Sequence, residues 1–277
     1  MESALYIVAT PIGNLNDISL RALEILKEVD IIVCEDTRHS KKLLTFFSIN
    51  KKLISIHQHN EKNKSLEILN MSLDGKSVAY ISDAGTPGIS DPGAFLVNTF
   101  LKAEKKVVPI PGPSALTTAF SVSGIVDHDF QFKGFLPNTK IKAREHLKKI
   151  YEDNKTAIIY ESPHRVILTL TEIANIFGSE HILVITRELT KIYESIIKDT
   201  VSNIIKFYEK NNDQIRGEFV LIITSSNKIL EDENQLKETL RTVLKELPLS
   251  QSVKLVASIF KKNKKEVYNL ALRIKNE

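Results

Sequence analysis

Short apolar runs alternate with stretches of helical periodicity along the first part of the chain. Apolar and β-branched runs predict strands at 5–8, 30–34, 53–56, 77–81 and 106–110. Apolar residues three and four positions apart predict helices at 20–29, 40–47 and 66–73, with a fourth helix before the last of these strands. Strands that alternate with helices in this way are typical of a mostly parallel sheet covered by helices.

A second set of alternating elements follows Pro113. Strands are predicted at 130–135, 156–160, 181–186, 192–197 and 218–224. Helices are predicted at 115–122, 142–152, 165–177 and 201–210. The two strands between 181 and 197 follow each other closely, which indicates a hairpin and therefore a mixed sheet. The whole pattern predicts an α/β fold with one domain over 1–113 and a second over 114–226.

The last fifty residues have a different character. Residues 225–234 are polar and acidic and predict a linker. Residues 235–277 then carry three apolar stripes at helical spacing, from Leu236 to Leu247, from Val253 to Phe260 and from Val267 to Ile274. Three short amphipathic helices predict a small bundle of the helix-turn-helix type.

Composition narrows the class of protein further. Of the 277 residues one is a cysteine, Cys34, so a disulfide framework and a cysteine-rich zinc site are excluded. Its apolar neighbours predict a buried thiol. The N-terminus lacks the pattern of a signal peptide, and no apolar run approaches the roughly 20 residues that cross a bilayer, so we expect a cytoplasmic protein without a membrane partner.

The charge of the chain is informative through its distribution. The net charge of +4 is too small to indicate a nucleic-acid partner by itself. Cations crowd the last part of the chain, at Lys254, Lys261, Lys262, Lys264, Lys265, Arg273 and Lys275. On composition alone, a solvated helical face explains this cluster as well as a binding surface does.

Three loops rich in glycine and proline each follow a predicted strand. The longest, residues 82–93, holds three glycines, two prolines and two aspartates, Asp83 and Asp91. The other two are residues 9–15 and 109–115. Open α/β sheets bind ligands at the carboxyl ends of their strands, so the three loops predict one pocket. The chain has neither the GxGxxG dinucleotide fingerprint after its first strand nor a Walker A loop.

Other polar residues follow strand ends as well. Arg38 could clamp a phosphate, with Asp36 orienting it or accepting a proton; the alternative is an ordinary acidic helix N-terminus. Arg165 could be a second clamp, or part of a capped helix start. The His57-x-His59 spacing lacks a third ligand, so we expect a polar cleft wall or a surface loop and no metal site.

Eight motifs occur here in a characteristic order: LYIVATPIGNLNDISLRAL, EDTRHS, SDAGTPGISDPG, PIPGPSAL, KGFLP, YESPHR, TRELTK and RGEFVLII. Together they closely resemble the tetrapyrrole methylase superfamily, and within it the enzymes that methylate small-subunit ribosomal RNA. The resemblance covers essentially the whole chain. Tetrapyrrole-synthesising relatives have a more glycine-rich first loop and Gly-Asp-Pro at positions 85–87, so these departures point away from a tetrapyrrole substrate.

The resemblance implies two α/β domains with S-adenosylmethionine in the cleft between them, often in a homodimer. It places the following residues at the methyl donor: Pro11, Gly13, Ala84, Gly85, Thr86, Ser114, Ala115, Glu161, Glu218 and Phe219. It implies transfer of the methyl group to a cytidine ribose 2′-hydroxyl near the decoding site of the free rRNA or of the assembled 30S subunit. The basic C-terminal bundle would then grip RNA without reading its sequence.

The hydroxyl must lose its proton to become a good nucleophile. The candidate bases are Asp36, His59, Asp83 and Asp91, with Asp83 or Asp36 favoured; His59, Asp91, Arg38 and Arg165 are expected at the RNA. Two alternatives are methylation of a tetrapyrrole or other small molecule at carbon, and a protein that binds nucleic acid without catalysis.

Overall fold

A computed structural model describes residues 1–57, 60–126, 129–225, 228–260 and 262–276, without the side chains of 228–235 and 275–276. The chain forms two compact units. The first comprises Met1–Ile150 and Thr156–Thr224, and the second comprises Tyr151–Lys155 and Ser225–Glu277. No helix among the described residues is both long enough and apolar enough to cross a membrane.

The first unit begins with a five-stranded parallel sheet. Its strands are β1 (Leu5–Val8), β2 (Ile31–Cys34), β3 (Lys52–Ser55), β4 (Val78–Ile81) and β5 (Val107–Ile110), in the order β3-β2-β4-β1-β5. Its helices are α1 (Leu20–Glu28), α2 (Thr37–Phe46), α3 (Glu61–Leu73) and α4 (Ala94–Lys102). Alternate residues of β4 enter the cores on opposite faces, Ala79 and Ile81 on one and Val78 and Tyr80 on the other.

A second five-stranded sheet follows in the same unit. Its strands are β6 (Phe130–Phe135), β7 (Thr156–Glu161), β8 (Ile182–Arg187), β9 (Ser195–Thr200) and β10 (Phe219–Ile223), in the order β6-β7-β10-β8-β9. Its helices are α5 (Ala115–Ser121), α6 (Lys140–Asp153), α7 (Val166–Phe177) and α8 (Val201–Lys210). Only β6 and β7 pair in parallel, and the predicted β8–β9 hairpin is confirmed. The three-segment division at 113 and 235 stays a prediction.

Two element boundaries differ from the prediction for local reasons. Helix α2 begins at Thr37, because the side chain of Asp36 accepts a hydrogen bond from the Arg38 N–H and caps the helix. Strand β9 begins at Ser195 instead of 192, because positive φ angles at Glu188 and Thr190 form a turn before it.

Cys34 is fully buried as predicted, and burial raises the pKa of its thiol.

The second unit contains three helices, α9 (Lys228–Glu246), α10 (Leu249–Ile259) and α11 (Lys264–Asn276). The linker predicted at 225–234 is wrong for most of its length, since α9 begins at Lys228 and the sequence from there to 234 has no proline or glycine to stop a helix. The three predicted stripes form one core, with the most buried members Leu236, Leu240, Val253, Val256, Ala257, Val267 and Ala271.

Candidate active site

The three loops rich in glycine and proline meet at the carboxyl edge of the first sheet. The Thr10 N–H donates to the Gly85 oxygen at 2.9 Å, and the Gly85 N–H donates to the Thr10 oxygen at 3.0 Å. The Thr86 hydroxyl donates to the Pro113 oxygen at 3.0 Å. Gly85 has φ +79°, a conformation that costs glycine little. The loops therefore form one continuous wall, as the sequence pattern predicts.

This wall borders a cavity of about 470 Å³, which we call the first cavity. That volume lies within the roughly 300–1,000 Å³ that is usual for small-molecule sites. Many of the residues expected at the ligand line it: Asp83, Ala84, Gly85, Thr86, Asp91, Ser114, Ala115, Glu161, Glu218 and Phe219. Both sheets thus contribute strand ends to one cavity.

Three carboxylates at the first cavity come from the first sheet: Glu35, Asp83 and Asp91. Burial raises the pKa of Asp91 to about 6; the Asp83 charge adds to this effect and the Ser82 hydroxyl offsets part of it. Burial also raises the pKa of Glu35, helped by the charges of Asp83 and Asp91. Crowded carboxylates of this kind favour a positively charged group on the ligand.

Glu35 was missed by the sequence analysis, although its position carried a signal. It is the first residue after β2, closer to the strand end than Asp36. The aromatic lining was missed as well. Phe135 is 54% exposed beside the cavity, and its ring meets that of Tyr160 edge-on at 5.6 Å. Both aromatic residues belong to motifs that the resemblance uses, KGFLP and YESPHR, so the same motifs could have indicated them.

The side chain of Asp36 is occupied at the start of α2. Its Oδ1 accepts from the Arg38 N–H at 2.8 Å, and its Oδ2 accepts from Arg38 Nη2 at 2.8 Å. These hydrogen bonds to Arg38 hold the pKa of Asp36 well below its usual range, which makes it a weak proton acceptor. The Asp36 N–H donates to Asp83 Oδ1 at 3.1 Å. Neither Asp36 nor Arg38 lines the first cavity; Asp36 orients Asp83 through its backbone.

Glu161 and Arg165 form a buried brace. The Glu161 carboxylate, with no exposed side-chain surface, accepts from Arg165 at 2.8 Å, from the Thr169 hydroxyl at 2.7 Å and from the Ser162 N–H at 2.8 Å. Arg165 Nη1 also donates to the Leu136 oxygen at 3.0 Å. The Glu161 carboxylate therefore forms its hydrogen bonds within the protein, and the Arg165 guanidinium is already paired with it.

The remaining predicted site residues do not line the first cavity or are not among the described residues. Pro11 and Gly13 line a neighbouring second cavity. A Cβ on Gly13 would lie 2.5 Å from Lys191 Cγ and 2.7 Å from Thr190 Oγ1, so glycine allows the first loop to pack against the turn before β9. His59 lies outside the described residues. Within the described ranges, no group of three or more His, Cys, Asp or Glu side chains is placed to hold a metal ion.

The helical second unit has a groove of about 450 Å³ along α9 and α11. Leu236, Val267, Leu270 and Ile274 form its apolar floor. Four cations and one acid stand around it: Lys237, Arg241, Lys262, Arg273 and Glu266. Of the cations that crowd the last part of the sequence, only Lys262 and Arg273 line this groove. Lys254, Lys264 and Lys265 are not among its lining residues, and Lys261 and the side chain of Lys275 lie outside the description.

Comparison with known proteins places this geometry in a family. Residues 4–205 match the family described as Tetrapyrrole (Corrin/Porphyrin) Methylases, and residues 231–275 match the RsmI C-terminal HTH domain. Among solved structures, a cobalt precorrin-4 methyltransferase has the same fold with TM-score 0.60 at 17% identity, over 79% of this chain and 94% of that one. A diphthine synthase has TM-score 0.60 at 16% identity, over 80% of this chain and 89% of that one.

Curated relatives are similar along nearly the whole chain and are named ribosomal RNA small subunit methyltransferase I. The protein from Pasteurella multocida is 44% identical over 98% of both chains. That from Vibrio cholerae is 42% identical over 97% of this chain and 94% of its own length. The Bacillus subtilis protein is 46% identical over 85% of this chain and 80% of its own. The resemblance inferred from the motifs is confirmed, and the chain belongs to the tetrapyrrole (corrin/porphyrin) methylase family.

Proposed function

We propose that the protein uses S-adenosylmethionine to methylate small-subunit (16S) ribosomal RNA, at the ribose 2′-hydroxyl of a cytidine near the decoding site. The observation that carries the proposal is similarity over both units to relatives whose name states this class of substrate. The family matches cover the α/β unit and the helical unit separately. The cytidine, the 2′-oxygen and the decoding site rest on the motif resemblance alone.

The first cavity suits the methyl donor chemically. S-adenosylmethionine supplies a methyl group on a positively charged sulfonium, next to an amino acid and an adenosine. Glu35, Asp83 and Asp91 provide negative charge for the cationic groups. Phe135 and Tyr160 provide aromatic surface suited to a base. The backbone of residues 84–86, Ser114 and Ala115 would hold the donor.

Asp83 is the residue we propose as proton acceptor for the attacking hydroxyl. It lines the first cavity, and the Asp36 N–H fixes one of its oxygens, so its carboxylate is oriented before substrate binds. Asp91 would lie beside Asp83 and bind the RNA substrate. Glu218 and Phe219 at the start of β10 would meet the adenosine, and Glu161 would contact the donor through its backbone only, since its carboxylate is bound internally.

We propose that RNA phosphates are held by surface cations. Arg38 is suited to this role because 89% of its side chain is exposed. The cation-rimmed groove of the helical unit would add a grip that does not depend on sequence. Arg165 has no such freedom, so its contribution would be to hold the chain around Glu161. We further propose a cytoplasmic homodimer that acts on the rRNA or on the assembled 30S subunit.

The test is mass spectrometry of small-subunit RNA from cells with and without the gene. We expect one 2′-O-methylated cytidine to disappear on deletion and to return with the wild-type gene. Purified protein should restore it in vitro on 30S subunits or rRNA from the deletion strain. An unchanged methylation pattern would refute the proposal. A protein that only bound nucleic acid would not bind S-adenosylmethionine. An enzyme that methylates small molecules at carbon would stay active without residues 231–277.

A further inference from the structure

A second cavity of about 380 Å³ adjoins the first. Four residues line both cavities, so the two spaces share one wall: Ile12, Asp83, Ala84 and Glu218. The proposed proton acceptor therefore faces a donor-sized cavity and a separate cavity next to it. A transferase with two substrates needs this arrangement, because the acceptor oxygen and the donor methyl must meet at the base.

One face of helix α2 forms a side of the second cavity. His39, Lys42, Leu43 and Phe46 line it, at spacings of three, one and three residues along the helix. Residues three and four apart lie on the same face of a helix. The buried residues of α2 are Ser40 and Leu44, so the core lies on a different face. The face with Phe46 thus opens to the cavity instead of packing inside the protein.

Phe46 is an unusual residue for a surface helix. Its side chain is 61% exposed, and Phe47 supports its ring edge-on at a centroid distance of 4.9 Å. A supported, exposed aromatic ring offers a face on which a nucleic-acid base can stack. Single-stranded RNA is commonly recognised through such stacking.

Two lysines of the second cavity, Lys42 and Lys191, carry the charge that binds phosphate. His39 and Lys42 are exposed, and Lys42 forms no ion pair with another described residue. Lys191, at the far side, already bridges Glu188 at 2.7 Å and Glu218 at 3.1 Å. Lys42 is therefore the cation with capacity to bind an incoming anion. The first cavity differs in charge, because its described lining has no cation and includes five acidic residues: Glu35, Asp83, Asp91, Glu161 and Glu218. The second cavity has two acids, Asp83 and Glu218, beside its lysines.

We propose that the second cavity binds the target nucleotide of the RNA, with its base against Phe46, its phosphate at Lys42 and His39, and its ribose hydroxyl at Asp83. The inference rests on the proposed function, which it deepens by naming the acceptor subsite. A base can reach Phe46 only when it is unstacked, so the substrate nucleotide must lie in a single-stranded or opened segment.

The test compares Lys42→Gln with Lys41→Gln, and Phe46→Ala with Phe46→Tyr. Lys41 is the adjacent lysine and lines a different depression, with Thr45 and Ser48, so it is a control matched in charge change. Methyl transfer to 30S subunits from the deletion strain gives kcat/KM for RNA. Calorimetry gives the Kd for S-adenosylmethionine, and sedimentation gives the oligomeric state.

We expect Phe46→Ala and Lys42→Gln each to lower kcat/KM for RNA by roughly tenfold or more, the scale of a lost base stack or phosphate contact. Lys41→Gln should stay within about twofold of wild type, because it removes the same charge outside the second cavity. Phe46→Tyr should recover most of the activity that Phe46→Ala loses, because it retains an aromatic ring. Donor Kd and oligomeric state should not change in any variant.

Three results would overturn the inference. Equal effects of Lys41→Gln and Lys42→Gln would mean that general surface charge is responsible. A weakened donor Kd in Phe46→Ala would assign the cavity to the donor, and a changed oligomeric state would make this face an interface between copies of the chain. If wild-type protein binds S-adenosylmethionine but never methylates 30S subunits or rRNA, the proposed function itself fails, and that is established before any variant is compared.

Discussion

The carboxyl of Asp91 should make the protein less stable as pH rises from 4 to 7. Its pKa is about 6 in the folded chain, because burial and the Asp83 charge disfavour ionisation. In an unfolded chain an aspartate titrates near about 3.9. At 1.36 kcal/mol per pKa unit the difference corresponds to about 3 kcal/mol at most, and solvent screening of this partly exposed carboxyl reduces it to about 1–2 kcal/mol.

The direction of the effect follows from the protons bound in each state. Below about pH 4 the carboxyl is protonated in both states and contributes nothing. Between about pH 4 and 6 the folded chain holds a proton that the unfolded chain has lost, so the free energy of unfolding falls with pH. Above pH 6 both states are ionised, and the full penalty remains.

Asp91→Asn removes this titration while keeping the shape of the side chain. Urea unfolding of wild type and variant at several pH values from 4.5 to 7.5 would measure it. The free energy of unfolding of the variant relative to wild type should rise with pH, by about 1–2 kcal/mol. Asp213→Asn, at an exposed aspartate outside the cavity lining, is the matched control for the loss of one carboxylate. A pH-independent difference for Asp91→Asn would refute the reasoning.

Binding of a cationic donor should act on the same group. A positive charge beside Asp91 favours its ionised form, so its pKa falls and protons are released on binding near pH 6. Calorimetry of S-adenosylmethionine binding in two buffers of different ionisation enthalpy measures that release. Wild type should release protons at pH 6 and Asp91→Asn should release fewer; equal release by both proteins would mean that Asp91 lies away from the donor charge.

Three further predictions follow from the same contacts. Asp83→Asn should slow single-turnover methyl transfer by at least about a hundredfold with little change in donor Kd; loss of donor binding would make Asp83 a donor-holding residue instead. Glu161→Gln should lower the free energy of unfolding by about 3 kcal/mol, because it leaves the Arg165 guanidinium without its charge partner, and Glu161→Gln with Arg165→Met should recover part of that loss in urea unfolding. Neutralising the cations of the helical groove should flatten the dependence of KM for RNA on salt concentration, whereas an unchanged slope would place the RNA elsewhere; the residues to change to Gln are Lys237, Arg241, Lys262 and Arg273.

Much of the fold could be predicted because its signals are local. Runs of β-branched residues identified all ten strands within a few residues, and three stripes of helical period identified the terminal bundle. The errors in element boundaries arise where a single side chain or a single turn determines the residue at which an element begins. The Asp36 cap starts α2 early, and the turn at Glu188 and Thr190 starts β9 late. Such choices depend on hydrogen bonds and φ angles that a hydropathy pattern does not contain.

The sequence predicted the location of the candidate site better than it predicted the role of each residue there. The loops at strand ends were correctly expected to meet, since parallel strands direct their carboxyl ends to one edge. The polar residues next to them were ambiguous. Asp36 satisfies the N–H groups at the start of α2, and Arg165 neutralises buried Glu161. A charged residue after a strand can serve the backbone, a buried partner or a ligand, and the sequence does not distinguish these uses.

The distribution of charge gives the strongest reason to treat the two cavities as sites for different ligands. Glu35, Asp83 and Asp91 lie together at the first cavity, and the raised pKa of Asp91 shows that its ionisation there is unfavourable. Such an unfavourable arrangement is commonly retained where function requires it. The second cavity shares Asp83 and Glu218 with the first but also exposes Lys42 and the aromatic ring of Phe46. A cationic donor and an anionic nucleotide would therefore each be drawn to its own side of the wall. Asp83 stands in that wall, where the proposed reaction would remove the proton as the two substrates meet.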